Sequence, residues 1–113
     1  SIVIKLTYDK TSFLFTGDAP KNIEEYLTRI DGSNLDIDVL KVGHHGSHTS
    51  SGEKFLKITT PTFAAISAGK NNRYGHPHKE VLEGLAAVHA EVLGTYDHGT
   101  IVLISDGLKI GLK

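Results

Sequence analysis

The sequence predicts an α/β domain, and three observations carry that expectation. Ile2, Ile4 and Leu6 alternate with Val3, Lys5 and Thr7 at the two-residue period of a strand. Segments of helical spacing then separate further β-rich runs, giving the order β-β-α-β-α-β-α-β-β-β. The polar, glycine-containing clusters TGDAP, GHHGSHTS and GKNNRYGHP each follow the end of a predicted strand, the edge on which open α/β sheets gather their sites. At 113 residues, one domain spanning positions 1–113 is expected.

The opening run turns at YDKT into a second strand, Ser12–Thr16, forming a hairpin. Pro20 suits a first helical position, and Ile23, Tyr26, Leu27 and Ile30 recur as the apolar side of an amphipathic helix until DGSN stops it. DVLKV reads as a third strand, SGEKFLKIT as a short helix and TFAAIS as a fourth strand. Pro77 opens a helix to about Ala90, with Val81, Leu82, Leu85 and Val88 on one side. EVLGT is a small strand, and GTIVLIS and LKIGL close the chain as a hairpin around Asp106 and Gly107.

Composition excludes several classes. A net charge of -1 gives no basic field, so any contact with nucleic acid falls to a local patch. The absence of cysteine rules out disulfides and thiolate metal sites. No apolar run approaches the ~18 residues that span a bilayer, and SIVIKLTYDK lacks the features of a signal peptide, so a soluble domain is expected. The chain opens directly on a strand without a polar lead-in and reads as part of a longer fold.

Five of the seven histidines fall between His44 and His78. Imidazoles and a carboxylate are ligands that zinc and manganese accept, and hydrolysis needs one position left for water. Asp18, after a strand and Gly17, supplies the carboxylate, although it would equally cap a helix. Neighbours on an extended chain point opposite ways, so at most one of His44 and His45 is expected to bind a given metal, while the other faces substrate or the residues behind the metal ligands. Gly46 would let the backbone approach a ligand, and Ser47 and Thr49 would donate to an anion. His48 reads as exposed, and His78 as a neighbour of the site. His76, beside the N-terminus of the helix expected from Pro77, sits where anions are favoured, with Asn72, Arg73 and Tyr74 close in sequence. No G-x-S-x-G elbow or complete phosphate loop competes.

Taken in order, SFLFTGDA, DVLKVGHHGSHTSS, ISAGKNNRYGHP and GTIVLISDG resemble the C-terminal half of a metallo-β-lactamase-fold hydrolase. The likeness is greatest to the hydrolase domain of ComEC-type DNA-internalization channel proteins of bacterial competence. It implies half of an αββα sandwich, a mixed sheet with helices packed on it. It also implies that Asp18 bridges two divalent ions, zinc or manganese, and that His44 or His45 completes the second ion's ligands, with His44 favoured as ligand and His45 as a catalytic proton donor or substrate contact. His76 would be the second catalytic residue, and Ser47 and Asn72 would meet substrate. The His-x-His-x-Asp-His motif of that superfamily does not occur in this chain, so alone it is expected to bind metal weakly or not at all and to be inactive.

The resemblance further implies a phosphodiesterase or nuclease associated with DNA uptake, in a domain of a bacterial membrane protein, with DNA and the parent's channel part as partners. A missing N-terminal half would leave an exposed sheet edge or apolar face, predicting pairing with that half or self-association. Two other readings stay open: a noncatalytic DNA- or partner-binding domain of the same fold, and a small-molecule phosphoesterase.

Overall fold

The computed structural model describes residues 2–113. Strands β1 (Ile4–Tyr8) and β2 (Thr11–Phe15) form the expected antiparallel hairpin, with Ile4 opposite Phe15 and Tyr8 opposite Thr11. Asp9 turns the chain at φ 50°, a left-handed conformation that a short polar side chain tolerates, and the Thr11 hydroxyl donates to the Tyr8 carbonyl at 2.8 Å. Strands β3 (Val39–Lys41), β4 (Phe63–Ile66) and β5 (Glu91–Gly94) then add in parallel, in the order β1-β2-β3-β4-β5.

Each parallel pair is joined through a helix: α1 (Lys21–Asp31), α2 (Glu53–Thr59) and α3 (Lys79–Ala87). Crossovers between parallel strands share one hand, so a sheet that grows in one direction receives all its helices on one face. Accordingly α1 packs on α2, and α2 on α3. Leu14, Leu40 and Ala64 stand side by side in register on the helical face and are buried with Val42, Phe55, Leu56, Ile66, Val81 and Leu85. This is the core.

The opposite face is only partly covered. After the single helical turn α4 (Thr95–His98), strands β6 (Leu103–Ser105) and β7 (Ile110–Leu112) form an antiparallel hairpin. Its Asp106-Gly107 turn docks on the β1–β2 turn, where Lys10 N–H donates to the Gly107 carbonyl at 2.7 Å and the Thr11 and Ser105 hydroxyls lie 2.7 Å apart. Ile4, Leu6, Tyr8 and Phe15 share the remaining surface and are all exposed.

Element order follows the sequence, with the turn α4 added. Three details differ. The expected apolar side of α1 is largely outside: Ile23, Tyr26 and Ile30 are exposed and Leu27 is half-buried, while Glu24 turns inward. Helix α3 starts at Lys79, not Pro77, because its first turn closes on the His78 carbonyl, which accepts N–H from Val81 and Leu82 at 3.1 and 3.3 Å. The closing strands are also shorter than GTIVLIS and LKIGL suggest.

The two faces predict opposite responses to truncation. Leu40→Ala removes a side chain that is 0% exposed and is expected to cost about 2–5 kcal/mol in urea unfolding. Leu6→Ala, at a position 54% exposed, is expected to change stability by about 0.5 kcal/mol or less. Equal losses at the two positions would contradict the one-sided core.

Candidate functional site

Because β2, β3 and β4 run parallel, their C-terminal ends fall on one edge of the sheet, and the three polar clusters meet there. Specific hydrogen bonds fasten them. The Gly17 carbonyl accepts His44 N–H at 2.9 Å, the Thr49 carbonyl accepts Lys21 N–H at 2.9 Å, and the Ser50 hydroxyl donates to the Ala19 carbonyl at 2.7 Å. The carboxylate of Glu24, 1% exposed, accepts Ser51 N–H at 2.6 Å and Gly52 N–H at 2.9 Å, so it anchors the end of the histidine loop and the start of α2 together. On the other side, His78 N–H donates to the Gly46 carbonyl at 2.8 Å.

A cleft of about 500 Å³ opens between these loops, lined by Asp18, His44, His45, Asn72, Tyr74 and His76, together with Ala68 and Gly69. The two adjacent histidines share it because the chain there is not extended. His44 (φ 49°, ψ 44°) and His45 (φ 55°, ψ 26°) are both left-handed, so the alternation expected of a strand does not apply. The His45 ring donates from Nδ1 to the Ser67 carbonyl at 2.7 Å, which leaves Nε2 of the neutral ring with its lone pair. His44 Nδ1 lies 3.2 Å from the Thr49 hydroxyl.

The loop before α3 is built around Asn72. Its Nδ2 donates to the carbonyls of Gly69 and His76 at 2.8 and 2.6 Å, and its Oδ1 accepts N–H from Tyr74 and His76 at 3.2 and 3.0 Å. Asn72 lines the cleft, and its side chain shapes the cleft wall through these four bonds. Ser47 is 4% exposed, with its hydroxyl 2.9 Å from that of Thr49, and it does not line the cleft. Gly46 has a reason within the fold itself. Its φ is +84°, and a Cβ there would fall 2.6 Å from Pro77 Cβ, so the close approach is to Pro77.

Charge in the cleft is shaped by crowded imidazoles. Partial burial, followed by the like charges of His78, His44, His45 and His48, holds the His76 pKa below the ordinary histidine value. His76 packs edge-on to His44, with ring centres 5.9 Å apart, and stacks on Tyr74 at 5.7 Å. Burial pulls the Lys41 ammonium pKa down, while the charge of Asp18 opposes that shift.

Sequence reasoning missed one grouping. Among the described residues, His48, His78 and Glu80 form a set of potential metal ligands whose donor atoms all lie within 4.8 Å of one another, and the cleft residues form no such set. The signal was present as the exposed His48 and the His78-x-Glu80 spacing, but nothing in the sequence joins positions thirty residues apart.

Fold and cleft together describe a mixed α/β domain with a cleft lined by histidines and a carboxylate on the C-terminal edge of its parallel strands. The chain is homologous to segments of three curated proteins. It is 46% identical over 101 residues to ComE operon protein 3 of Bacillus subtilis (strain 168), covering 89% of this chain and 13% of that protein. Recombination protein 2 of Haemophilus influenzae is 41% identical over 101 residues, covering 89% of this chain and 12% of its own length. Competence protein ComA of Neisseria gonorrhoeae is 38% identical over 95 residues, covering 84% and 14%. The chain thus spans about one eighth of the length of these relatives. No family model matches the chain, and no solved structure matches it. Among the described residues no helix is long and apolar enough to cross a membrane.

Two measurements check this construction. The His76 ring should titrate below the ordinary value of 6.5 in an NMR pH series, and His78→Asn should move it upward by removing a like charge; a midpoint at or above 6.5 would contradict the crowding. Glu24→Ala should cost about 1–3 kcal/mol in urea unfolding by leaving buried N–H groups unpaired. Burial raises the Glu24 pKa above 4.5, outweighing the lowering by the Ser51 and Gly52 N–H groups. With the folded value raised, the stability Glu24 contributes is full below 4.5 and declines as pH rises through the folded value, so the cost of the substitution should shrink in that direction.

Proposed function

We propose that this chain is the C-terminal part of a metal-dependent phosphodiesterase domain of the metallo-β-lactamase type, within a ComEC-type DNA-uptake protein. The observation that carries the proposal is the convergence of Asp18, His44, His45 and His76 on one cleft from three loops on the same sheet edge. Homology to ComE operon protein 3 and to a protein named for competence supports the setting of DNA uptake. A place in a bacterial membrane protein, beside its channel part, follows from the same reading.

The donor set suits zinc or manganese in kind: a carboxylate, and an imidazole whose far nitrogen is fixed on a carbonyl, as metal-binding histidines commonly are. It is incomplete in number, because the cleft side chains do not close on one point. Asp18 and one of His44 and His45 would hold the ions, and the tautomer of His45 makes it as able a ligand as His44. Bound divalent ions would supply a hydroxide nucleophile near neutral pH and stabilise charge on the phosphoryl oxygens.

The chain's own residues do the rest. His76, with its lowered pKa, holds a lone pair at neutral pH and takes or returns a proton at the cleft wall. The Asn72 framework sets the position of that ring through both its N–H and its carbonyl. The exposed Ile4, Leu6, Tyr8 and Phe15 support completion of the fold by a second layer carrying the remaining ligands. The same surface also favours a second reading, a noncatalytic domain that keeps the fold to bind a partner.

The test is elemental analysis and phosphodiester hydrolysis by a chain extended upstream, with and without Asp18→Ala. The expected result is about two metal ions lost on that substitution, together with the activity. No Asp18-dependent metal with zinc and manganese both supplied would remove the catalytic reading and leave the binding one.

A further inference from the structure

We infer that His48, His78 and Glu80 form a separate cation site of the zinc class, outside the cleft, which clamps the histidine loop to the start of α3. The three donor atoms lie within 4.8 Å of one another. His48 and Glu80 line a second cleft of about 370 Å³ beside α2 and α3, whereas Asp18, His44, His45 and His76 line the first. The two clefts therefore take different histidines.

The hydrogen bonding of the pair fits a ligand set. The Tyr74 carbonyl lies 3.1 Å from His78 Nε2, and since a carbonyl only accepts, that nitrogen carries the proton. The neutral His78 ring then presents a bare Nδ1. A backbone carbonyl holding the far N–H is how metal-binding histidines are commonly oriented.

Around that Nδ1 the arrangement is crowded. His48 Nδ1 stands 2.8 Å away, and His48 N–H is directed at the same atom from 2.9 Å. One lone pair thus faces two donors. A cation in place of the proton between the rings would take a lone pair from each imidazole, at the cost of that backbone acceptor. Nitrogen ligands on tetrahedral zinc stand about 3.3 Å apart, so the rings need to separate by roughly half an ångström. The ring centres are 4.5 Å apart; His78 is half-buried, edge-on to the His76 ring at 4.7 Å, whereas His48 and Glu80 are exposed, so the movement falls to those two.

Two imidazoles and a carboxylate form a nitrogen and oxygen set that zinc accepts with a water in the fourth position. Its effect would be mechanical. His48 follows His44 and His45 in one loop, and His78 follows His76 in the other, so one ion would fix the distance between the two walls that carry the cleft histidines.

The test is calorimetric titration of zinc chloride into this chain and its variants, with melting followed in parallel. One zinc per chain is expected in Asp18→Ala as in the unchanged protein, and it should raise the melting temperature. His48→Ala and His78→Ala should abolish this binding. Glu80→Gln keeps both imidazoles and their hydrogen bonds, and should weaken zinc at least about tenfold without lowering the metal-free melting temperature, which separates ligand loss from misfolding. Absence of zinc binding, binding removed by Asp18→Ala, or unchanged affinity in Glu80→Gln would overturn the assignment. None of these outcomes depends on the cleft being catalytic.

Discussion

A buried carboxylate holds the working edge of this molecule together. Glu24 sits inside α1 and receives N–H groups from Ser51 and Gly52, where the histidine loop ends and α2 begins. A charged group placed there loses its water, and the two directed donors offset part of that loss. The result is a fixed point shared by α1, the histidine loop and α2. Lys21 and Ser50 reinforce it from either side, so the loop after β3 cannot shift without disturbing the turn that carries Asp18.

The second constraint is topological. A parallel sheet that adds strands in one direction collects its crossover helices on one face and its loops on one edge. Both consequences are visible: a dry core beneath α1, α2 and α3, and a cleft formed by the loops after β2, β3 and β4. The incomplete cover over β1 and β2 follows from the same rule, since no crossover places a helix there. The closing hairpin is tied to the first one by the hydrogen bonds at Lys10 and Thr11.

What the sequence revealed, and what it hid, divides along the range of the forces involved. Strand alternation, the Asp106-Gly107 turn and the polar clusters after strands are local signals, and the element order and cleft location follow from them. The handedness of His44 and His45 was not legible, because two consecutive non-glycine residues at positive φ are costly in isolation and are held here by the bonds to Gly17 and Ser67. The inward turn of Glu24 was hidden for a similar reason: its partners lie twenty-seven and twenty-eight positions away. The four hydrogen bonds that Asn72 makes within its own loop were not legible, because a polar side chain in a loop gives no sign that the loop will fold around it.

Gly46 and Pro77 show what such long-range contacts impose. Their backbones and ring meet so closely that a methyl group at position 46 would lie 2.6 Å from Pro77 Cβ and 2.8 Å from Pro77 Cα. Any enlargement must push the proline away, and His76 and His78 flank that proline on either side. The loop of His44 and His45 and the loop of His76 are in this sense coupled, so a larger residue at position 46 would be felt on both walls of the cleft.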